Sequence, residues 1–179
     1  MLKKILLGLA AVVALILIVA AFQPGEFQVK RRLAIAAPAQ ALFEQVNDHR
    51  KFVVWNPWGK LDPNVKNTFT GPATGVGSVC SWQGNSEIGA GSSTIIESKP
   101  GELVRLRMDW KEPMEGTSTV DFTFKPEGDR TVMTWHMYGP QNYLGKVMCL
   151  FMNMDKMVGG QFEKGLAELK ILAEAAAKK

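Results

Sequence analysis

The segment GELVRLRMDWKEPMEGTSTVDFTFKPEG, residues 101–128, contains the clearest structural signal in the chain. Apolar and polar residues alternate on both sides of a Pro- and Gly-containing turn at 113–116. Because successive side chains of a strand point to opposite faces, this alternation predicts two antiparallel strands that share one apolar face. The apolar set consists of Val104, Leu106, Met108, Trp110, Val120, Phe122 and Phe124.

Matching the apolar faces of these two strands also predicts a register. With the connection at 113–116, Met108 lies opposite Val120 and Arg107 lies opposite Asp121. The charged pair would then be an exposed cross-strand ion pair, which contributes up to about 1 kcal/mol.

Turn residues divide the neighbouring sequence into further strands. Between Val65 and Tyr138 six short runs, each bounded by Gly, Pro or Asn, follow one another at about ten-residue spacing and predict an antiparallel meander. An earlier run from Phe27 to Ile35 alternates in the same way, with Arg31 as the exception. The sequence therefore predicts a sheet of about seven strands.

Three helices complete the predicted pattern. Pro38 and the apolar spacing after it predict a short helix, and a second short helix is expected at 48–54. The segment 154–179 predicts a long C-terminal helix, preceded by a helical lead-in at 143–154. Its apolar positions are Val158, Phe162, Leu166, Leu169 and Leu172.

Two local features raise further expectations. The segment VVWNPWGKLDPN, residues 53–64, contains two prolines and is predicted to be a loop that carries Trp55 and Trp58. In the C-terminal helix, Gly159, Gly160 and Gly165 each cost up to about 1 kcal/mol relative to alanine. We expect this cost to reflect close approach of the helix to another surface.

The N-terminus carries an apolar segment without a charge. Ile5–Phe22 is eighteen residues long and follows Lys3 and Lys4. As a helix it would be roughly 27 Å long, close to the thickness of a bilayer core. It predicts a membrane anchor, with a cleaved signal peptide as the alternative. The predicted division is 1–22 anchor or signal peptide, 23–26 linker and 27–179 folded domain.

The charges give a preferred orientation. Lys3 and Lys4 favour a cytoplasmic N-terminus and an extracytoplasmic domain, although basic residues at 30–32 weaken that argument. Secretion after signal cleavage is the alternative. The net charge of +4 is spread along the chain, so nothing indicates nucleic acid binding. Cys80 and Cys149 allow one disulfide or none, and burial as small apolar side chains is the favoured interpretation.

Motifs for catalysis are scarce. The two histidines, His49 and His136, form no recognisable metal-binding pattern with the cysteines, and the glycines flank strands instead of opening a helix. We therefore predict no metal and no cofactor. No nucleophile-elbow motif is present.

Four residues remain as acid/base candidates: Glu97, Asp109, Asp121 and Tyr138. The alternation assigns Asp109 and Asp121 to the solvent face. Glu97 lies near a strand end, where a solvated edge residue is the ordinary interpretation. Burial beside an apolar lining would instead raise its pKa and make it a general-base candidate.

The order of these elements carries a family resemblance. Through IAAPAQALFEQVNDHRKFVVWNPW, GVGSVCSWQGN, GAGSSTIIESKP, TVMTWHMYG and GGQFEKGLAELK the chain resembles the SRPBCC superfamily over about residues 27–175. It looks closest to the bacterial branch of polyketide cyclases/dehydrases and lipid transport proteins. The resemblance implies an α+β helix-grip fold, in which the curved antiparallel sheet wraps around the long C-terminal helix and leaves a cavity for an apolar or amphipathic small molecule.

The resemblance also implies a set of ligand-binding residues. Trp55 and Trp58 would close one mouth of the cavity, although a plug without a ligand, or a pair of rings in the lipid interface, are alternatives for them. The predicted lining consists of Trp55, Trp58, Trp82, Met108, Trp110, Phe122, Met133, Trp135, Phe151, Met154 and Met157.

Three functions are compatible with this set. The favoured one is a membrane-tethered binding or carrier domain for a hydrophobic small molecule or lipid, attached through residues 5–22. The alternative is an enzyme of the cyclase, dehydrase or hydrolase kind that acts on a similar ligand. A protein-interaction module is the third.

Overall fold

A computed structural model of the chain describes residues 2–177, which form five helices and seven strands. The helices are α1 (Leu2–Ala21), α2 (Ala39–Val46), α3 (His49–Trp55), α4 (Tyr143–Phe151) and α5 (Met154–Ala176). The strands are β1 (Glu26–Ile35), β2 (Lys66–Thr70), β3 (Val79–Gln83), β4 (Ala90–Lys99), β5 (Leu103–Glu112), β6 (Gly116–Glu127) and β7 (Arg130–Pro140).

The strands form one antiparallel sheet in the order β1-β7-β6-β5-β4-β3-β2. Its concave face holds the core, because α5 packs on β1 while α2 packs on β5 and β6. The predicted α+β helix-grip fold, with two short helices after the first strand, is confirmed.

The predicted register between β5 and β6 was wrong by two residues. Asp121 lies opposite Arg105 and Val120 lies opposite Leu106, while Met108 faces Ser118. A slip of one residue would turn the apolar face outward, but a slip of two keeps both faces matched. The apolar pattern therefore could not distinguish the two registers.

The segment at 53–64 is less irregular than predicted. Helix α3 continues through Trp55, and Asn56 ends it in an extended conformation because Pro57 follows. Pro57 then starts a 3-10 turn that runs to Lys60, and the Asn56 side chain accepts a hydrogen bond from the Trp58 amide. Trp55 is thus a helical residue, and only the remainder of the segment is turn and loop.

The expected close approach of α5 to another surface is confirmed at two of its three glycines. A Cβ at Gly159 would lie on the guanidinium of Arg31, which is held by ion pairs to Asp155 (2.9 Å) and Glu163 (2.6 Å). A Cβ at 165 would meet the Trp135 ring, whereas position 160 faces open space. The missing side chains thus let α5 sit directly on β1 and β7.

Helix α1 has the length and apolarity of a membrane span, and a signal sequence shares these properties. Most of its surface is exposed, but its C-terminal turn contacts α4. Residues 22–25 connect it to β1, and the Gln141 amide donates to the Gly25 carbonyl (2.9 Å). Cys80 and Cys149 are both free thiols, and burial raises the pKa of Cys80 to about 11.

Candidate functional site

The concave face of the sheet is divided into two regions by the position of α5. On β6 and β7 the inward residues beneath α5 are almost fully buried, among them Phe122 and Trp135. Towards the other end of β5 and β3 the inward residues are half-buried.

The first region, which we call the aromatic core, is filled by side-chain rings. Trp135 stacks on Phe162 of α5 with ring centroids 4.3 Å apart. Trp55 meets Trp135 edge-on at 5.6 Å, and Trp58 meets it at 5.9 Å. Such contacts each contribute about 0.5–1.5 kcal/mol beyond their area burial. The predicted residues Trp55, Trp58, Phe122 and Trp135 are thus brought together, but they pack against one another.

The aromatic core contains one unsatisfied polar atom. Within residues 2–177, the indole nitrogen Nε1 of Trp135 is buried and has no hydrogen-bond partner. Leaving such a donor unpaired costs about 1–3 kcal/mol.

The second region, which we call the Trp82–Trp110 shelf, consists of Trp82, Met108, Trp110 and Met137. All four are half-buried. The two indole rings meet edge-on with centroids 5.5 Å apart. The shelf therefore presents aromatic and thioether surface that is partly open, as an adaptable apolar binding surface requires.

Local contacts hold the shelf in place. Trp110 Nε1 donates to Ser118 Oγ (3.0 Å), and Trp82 Nε1 donates to the Ile88 carbonyl (3.3 Å). A Cβ at Gly91, between the two tryptophans in the sheet, would lie 2.7 Å from the Trp82 ring. Glycine at this position therefore lets the ring lie flat on β4.

The shelf occupies the end of the sheet that leads into α4. Trp110 pairs with Gly116 at the start of β6, and the last residues of β7 lie at that same end, opposite the start of β1. The chain then passes from Pro140 to Tyr143, where α4 begins. The partly open region and the start of α4 thus lie at the same end of the sheet.

The other predicted lining residues lie elsewhere. Met133 is fully buried beneath the helices, whereas Phe151 and Met157 are 69% and 53% exposed at the junction of α4 and α5. Met154 is half-buried at the same junction. The eleven predicted residues therefore occupy three places on the domain and not one lining.

Met137 was not in the predicted set. Its alternation with Met133 and Trp135 along β7 assigns it to the concave face, so the signal was present in the sequence. It lies opposite Val29 in the sheet and packs against the core.

His49 is a second interior residue that was not in the predicted set. It is 1% exposed, and its Nδ1 and Nε2 lie 3.0 Å from the hydroxyl oxygens of Ser78 and Ser93. Burial lowers its pKa to about 4, so the ring is neutral at pH 7. The neutral ring ties α3 to β4 and to the residue that precedes β3. Because burial makes it weakly basic, it is a poor general base.

The acid/base candidates belong to ion pairs. A hydrogen bond from Lys99 and the charge of Arg105 hold the pKa of Glu97 below its usual range. A general base at this position would need a raised pKa, so Glu97 does not fit that role. Arg105 also binds both carboxylate oxygens of Asp121, which in turn accepts from Tyr138 (3.4 Å).

Asp109 completes the set of candidates, and it is paired with Arg107 (3.0 Å). Among residues 2–177, no group of three potential metal ligands is found. In this part of the chain, the concave face therefore offers apolar surface for contact with a ligand. Hydroxyl and indole donors lie beside that surface.

Solved structures share this architecture. Protein MLL2253 from Mesorhizobium loti superposes with a TM-score of 0.61 at 13% identity over 83% of this chain and 98% of its own. The di-domain ARO/CYC StfQ from the steffimycin biosynthetic pathway gives 0.62 at 12% identity, over 86% of this chain and 52% of its own. Ara h 8.0201 gives 0.52 at 10% identity, over 81% and 98%.

These similarities establish the fold, and no curated protein sequence matches the chain. The family model described as "Polyketide cyclase / dehydrase and lipid transport" matches residues 26–174, which is the whole domain after the N-terminal helix and the linker. With its curved sheet, its gripped C-terminal helix and this match, the chain belongs to the polyketide cyclase/dehydrase and lipid transport family of the SRPBCC superfamily.

Proposed function

We propose that the protein is a membrane-tethered binding or carrier domain for a hydrophobic small molecule or lipid. The Trp82–Trp110 shelf carries this proposal. It is an apolar, half-buried surface on the concave face, and it adjoins a core that is already packed. A ligand lying on the shelf would cover the indole and thioether groups that water now reaches.

The polar groups near the shelf favour binding through the apolar part of a ligand. Along the concave face, Ser118 already accepts from Trp110, so it helps to hold the shelf. The unpaired Trp135 N–H is buried in the aromatic core and does not face the shelf. The acyl chain of a lipid such as a fatty acid would fit this surface.

The tether is the second part of the proposal. Helix α1 is 20 residues long, and as a membrane span it would keep the domain beside the lipids that it binds. Lys3 and Lys4 before α1 favour an extracytoplasmic domain. Cleavage as a signal sequence would release the same domain in soluble form.

An enzyme of the cyclase or dehydrase kind ranks second. The family contains such activities, but the carboxylates considered as bases are engaged in ion pairs, and His49 is enclosed by its serine partners. A buried acid or base next to the shelf would reverse this ranking.

Photo-crosslinking tests the binding surface. The full chain in lipid nanodiscs is incubated with a fatty acid that carries a diazirine in its chain, irradiated, and digested for mass spectrometry. We expect modified peptides that contain Trp82, Met108 or Trp110. Trp110→Ala should lower this labelling strongly, and its effect on the melting temperature should be smaller than its effect on labelling.

The control is Ile171→Ala, which truncates an exposed apolar side chain on the outer surface of α5. It should leave labelling of the shelf unchanged. If labelling is confined to α1 and α4, as expected for bulk lipid contact, and does not respond to Trp110→Ala, the shelf is not a ligand site.

A further inference from the structure

Helix α4 is a short apolar helix without a buried residue. It contains a single charge, Lys146, and none of its nine residues is buried. Tyr143, Leu144 and Phe151 are 48%, 55% and 69% exposed. Water is an unfavourable surrounding for such a helix, and an exposed apolar surface of this kind marks a site of contact with a membrane or a protein.

Apolar side chains cover most of the surface of α4. Leu144, Met148 and Phe151 are spaced by four and three residues and so form one stripe. At about 100° per residue, the single charge, Lys146, lies roughly 200° away from Leu144 and only about 40° from Leu150. The charge is therefore directed away from the stripe, and the exposed apolar stripe is a surface suited to contact with acyl chains.

Helix α4 contacts α1 at its first residue. The Tyr143 hydroxyl donates a hydrogen bond to the Leu17 carbonyl, and Ala20 is the one buried residue of α1. Helix α4 is therefore packed on the last turns of the predicted membrane anchor. An occupant of the α4 surface has to be compatible with a neighbour that is itself embedded in lipid.

The depth of this contact can be estimated. Helix α1 has 20 residues and is therefore about 30 Å long, which matches the hydrocarbon core of a bilayer. Leu17 lies four residues before the end of α1 at Ala21, so its carbonyl is about 6 Å below that end. Interfacial helices bury their apolar side to about 5–10 Å, and tyrosine favours this zone.

From this geometry we infer that α4 is an interfacial membrane-binding helix, which lies in the head-group layer of the bilayer that α1 enters. This inference rests on the proposed function, in which α1 is a membrane anchor. Leu144 and Phe151 contact the acyl chains, and Lys146 lies on the side of the phosphates. The bilayer covers the exposed surface of α4, because the first residue of α4 contacts α1, which spans the bilayer as a membrane anchor.

The consequence concerns ligand access. Helix α4 follows directly from the end of β7, at the end of the sheet where the Trp82–Trp110 shelf lies. An open concavity of about 480 Å³ lies next to it, lined by residues 149–155 at the junction of α4 and α5. A lipid that moves along α4 therefore approaches the end of the sheet at which the shelf lies.

Spin-label depth measurements test the inference on the full chain. Nanodiscs of phosphatidylcholine and phosphatidylglycerol are used, and Cys149 is replaced by serine while Cys80 is buried. Nitroxides are attached after Leu144→Cys or Phe151→Cys, and their accessibility to oxygen and to a water-soluble nickel complex is compared. Val12→Cys, within α1, is the reference for lipid, and Ile171→Cys, on the outer side of α5, is the reference for water.

We expect nitroxides at 144 and 151 to lose accessibility to nickel and to gain accessibility to oxygen, as at position 12. If position 12 reports lipid but both α4 positions behave like 171, the inference about α4 is wrong and the anchor remains. If position 12 itself reports water, the anchor and the inference fail together.

Discussion

Alanine at position 165 would place a methyl group against the aromatic core. The Cβ lies 2.8 Å from Trp135 Cζ3 and 3.0 Å from Pro57 Cδ, both of which belong to rings. Rings cannot bend away, so α5 or the 3-10 turn must shift, and overpacking of this kind costs about 1–3 kcal/mol. The greater helix propensity of alanine offsets up to about 1 kcal/mol of that cost.

Gly160→Ala provides the matched control. A Cβ at position 160 meets no atom within 4 Å, so this variant receives the propensity gain alone. The difference between the two variants therefore isolates the packing cost of about 1–3 kcal/mol. Thermal unfolding of the full chain in one detergent, followed by circular dichroism, should show Gly165→Ala melting roughly 2–12 °C below Gly160→Ala. Equal melting temperatures would refute the conclusion that α5 packs tightly on Trp135.

Two further predictions concern pH. Because the folded pKa of His49 is about 4 and its unfolded value is about 6.5, the unfolded chain binds more protons between these values, and stability should fall as the pH drops through this window. Urea midpoints near pH 7 and pH 4.5 measure the fall. Burial also lowers the pKa of His136, which is less buried, so His49→Gln should reduce the fall by more than His136→Gln does. Arg31 lowers the pKa of Asp155, so the stability from this pair is lost as the pH falls below the ordinary carboxyl value of about 4. The Arg31→Met variant should be less stable at neutral pH, and its stability should change less when the pH is lowered. An unchanged dependence of stability on acidic pH would contradict the ion pair.

The faces of the strands were predictable, but their alignment was not. Period-two alternation assigned Met108, Trp110 and Trp135 correctly to the concave face. The register between β5 and β6 was missed because both candidates bury the same face. Backbone pairing is decided by the connection and by ion pairs such as Arg105 with Asp121, which alternation does not report.

The division of the concave face into a filled and an open region also could not be predicted from the sequence. Trp110 and Trp135 have the same alternation signal, and their burial differs only because α5 crosses the sheet over Trp135. The position of that crossing depends on contacts between distant segments, such as Gly165 with Pro57. The aromatic residues of the site were thus predicted as a set, while their separation into core and shelf follows from tertiary packing.

His49 illustrates a different reason. Its neighbours Asp48 and Arg50 are polar, which is typical of a surface position. The start of α3 nevertheless turns the imidazole inward, where its partners Ser78 and Ser93 come from 29 and 44 residues further along the chain. Hydrogen-bonding partners at such separations leave no local pattern in a single sequence.

The connection between α1 and β1 limits where the domain can work. It has four residues, Phe22–Gly25, which span at most about 14 Å when fully extended. A domain anchored through α1 therefore cannot shuttle cargo across an aqueous gap to a facing membrane. Under the proposed carrier function, it would exchange lipid within its own leaflet, or release it to a soluble acceptor that diffuses to the membrane surface.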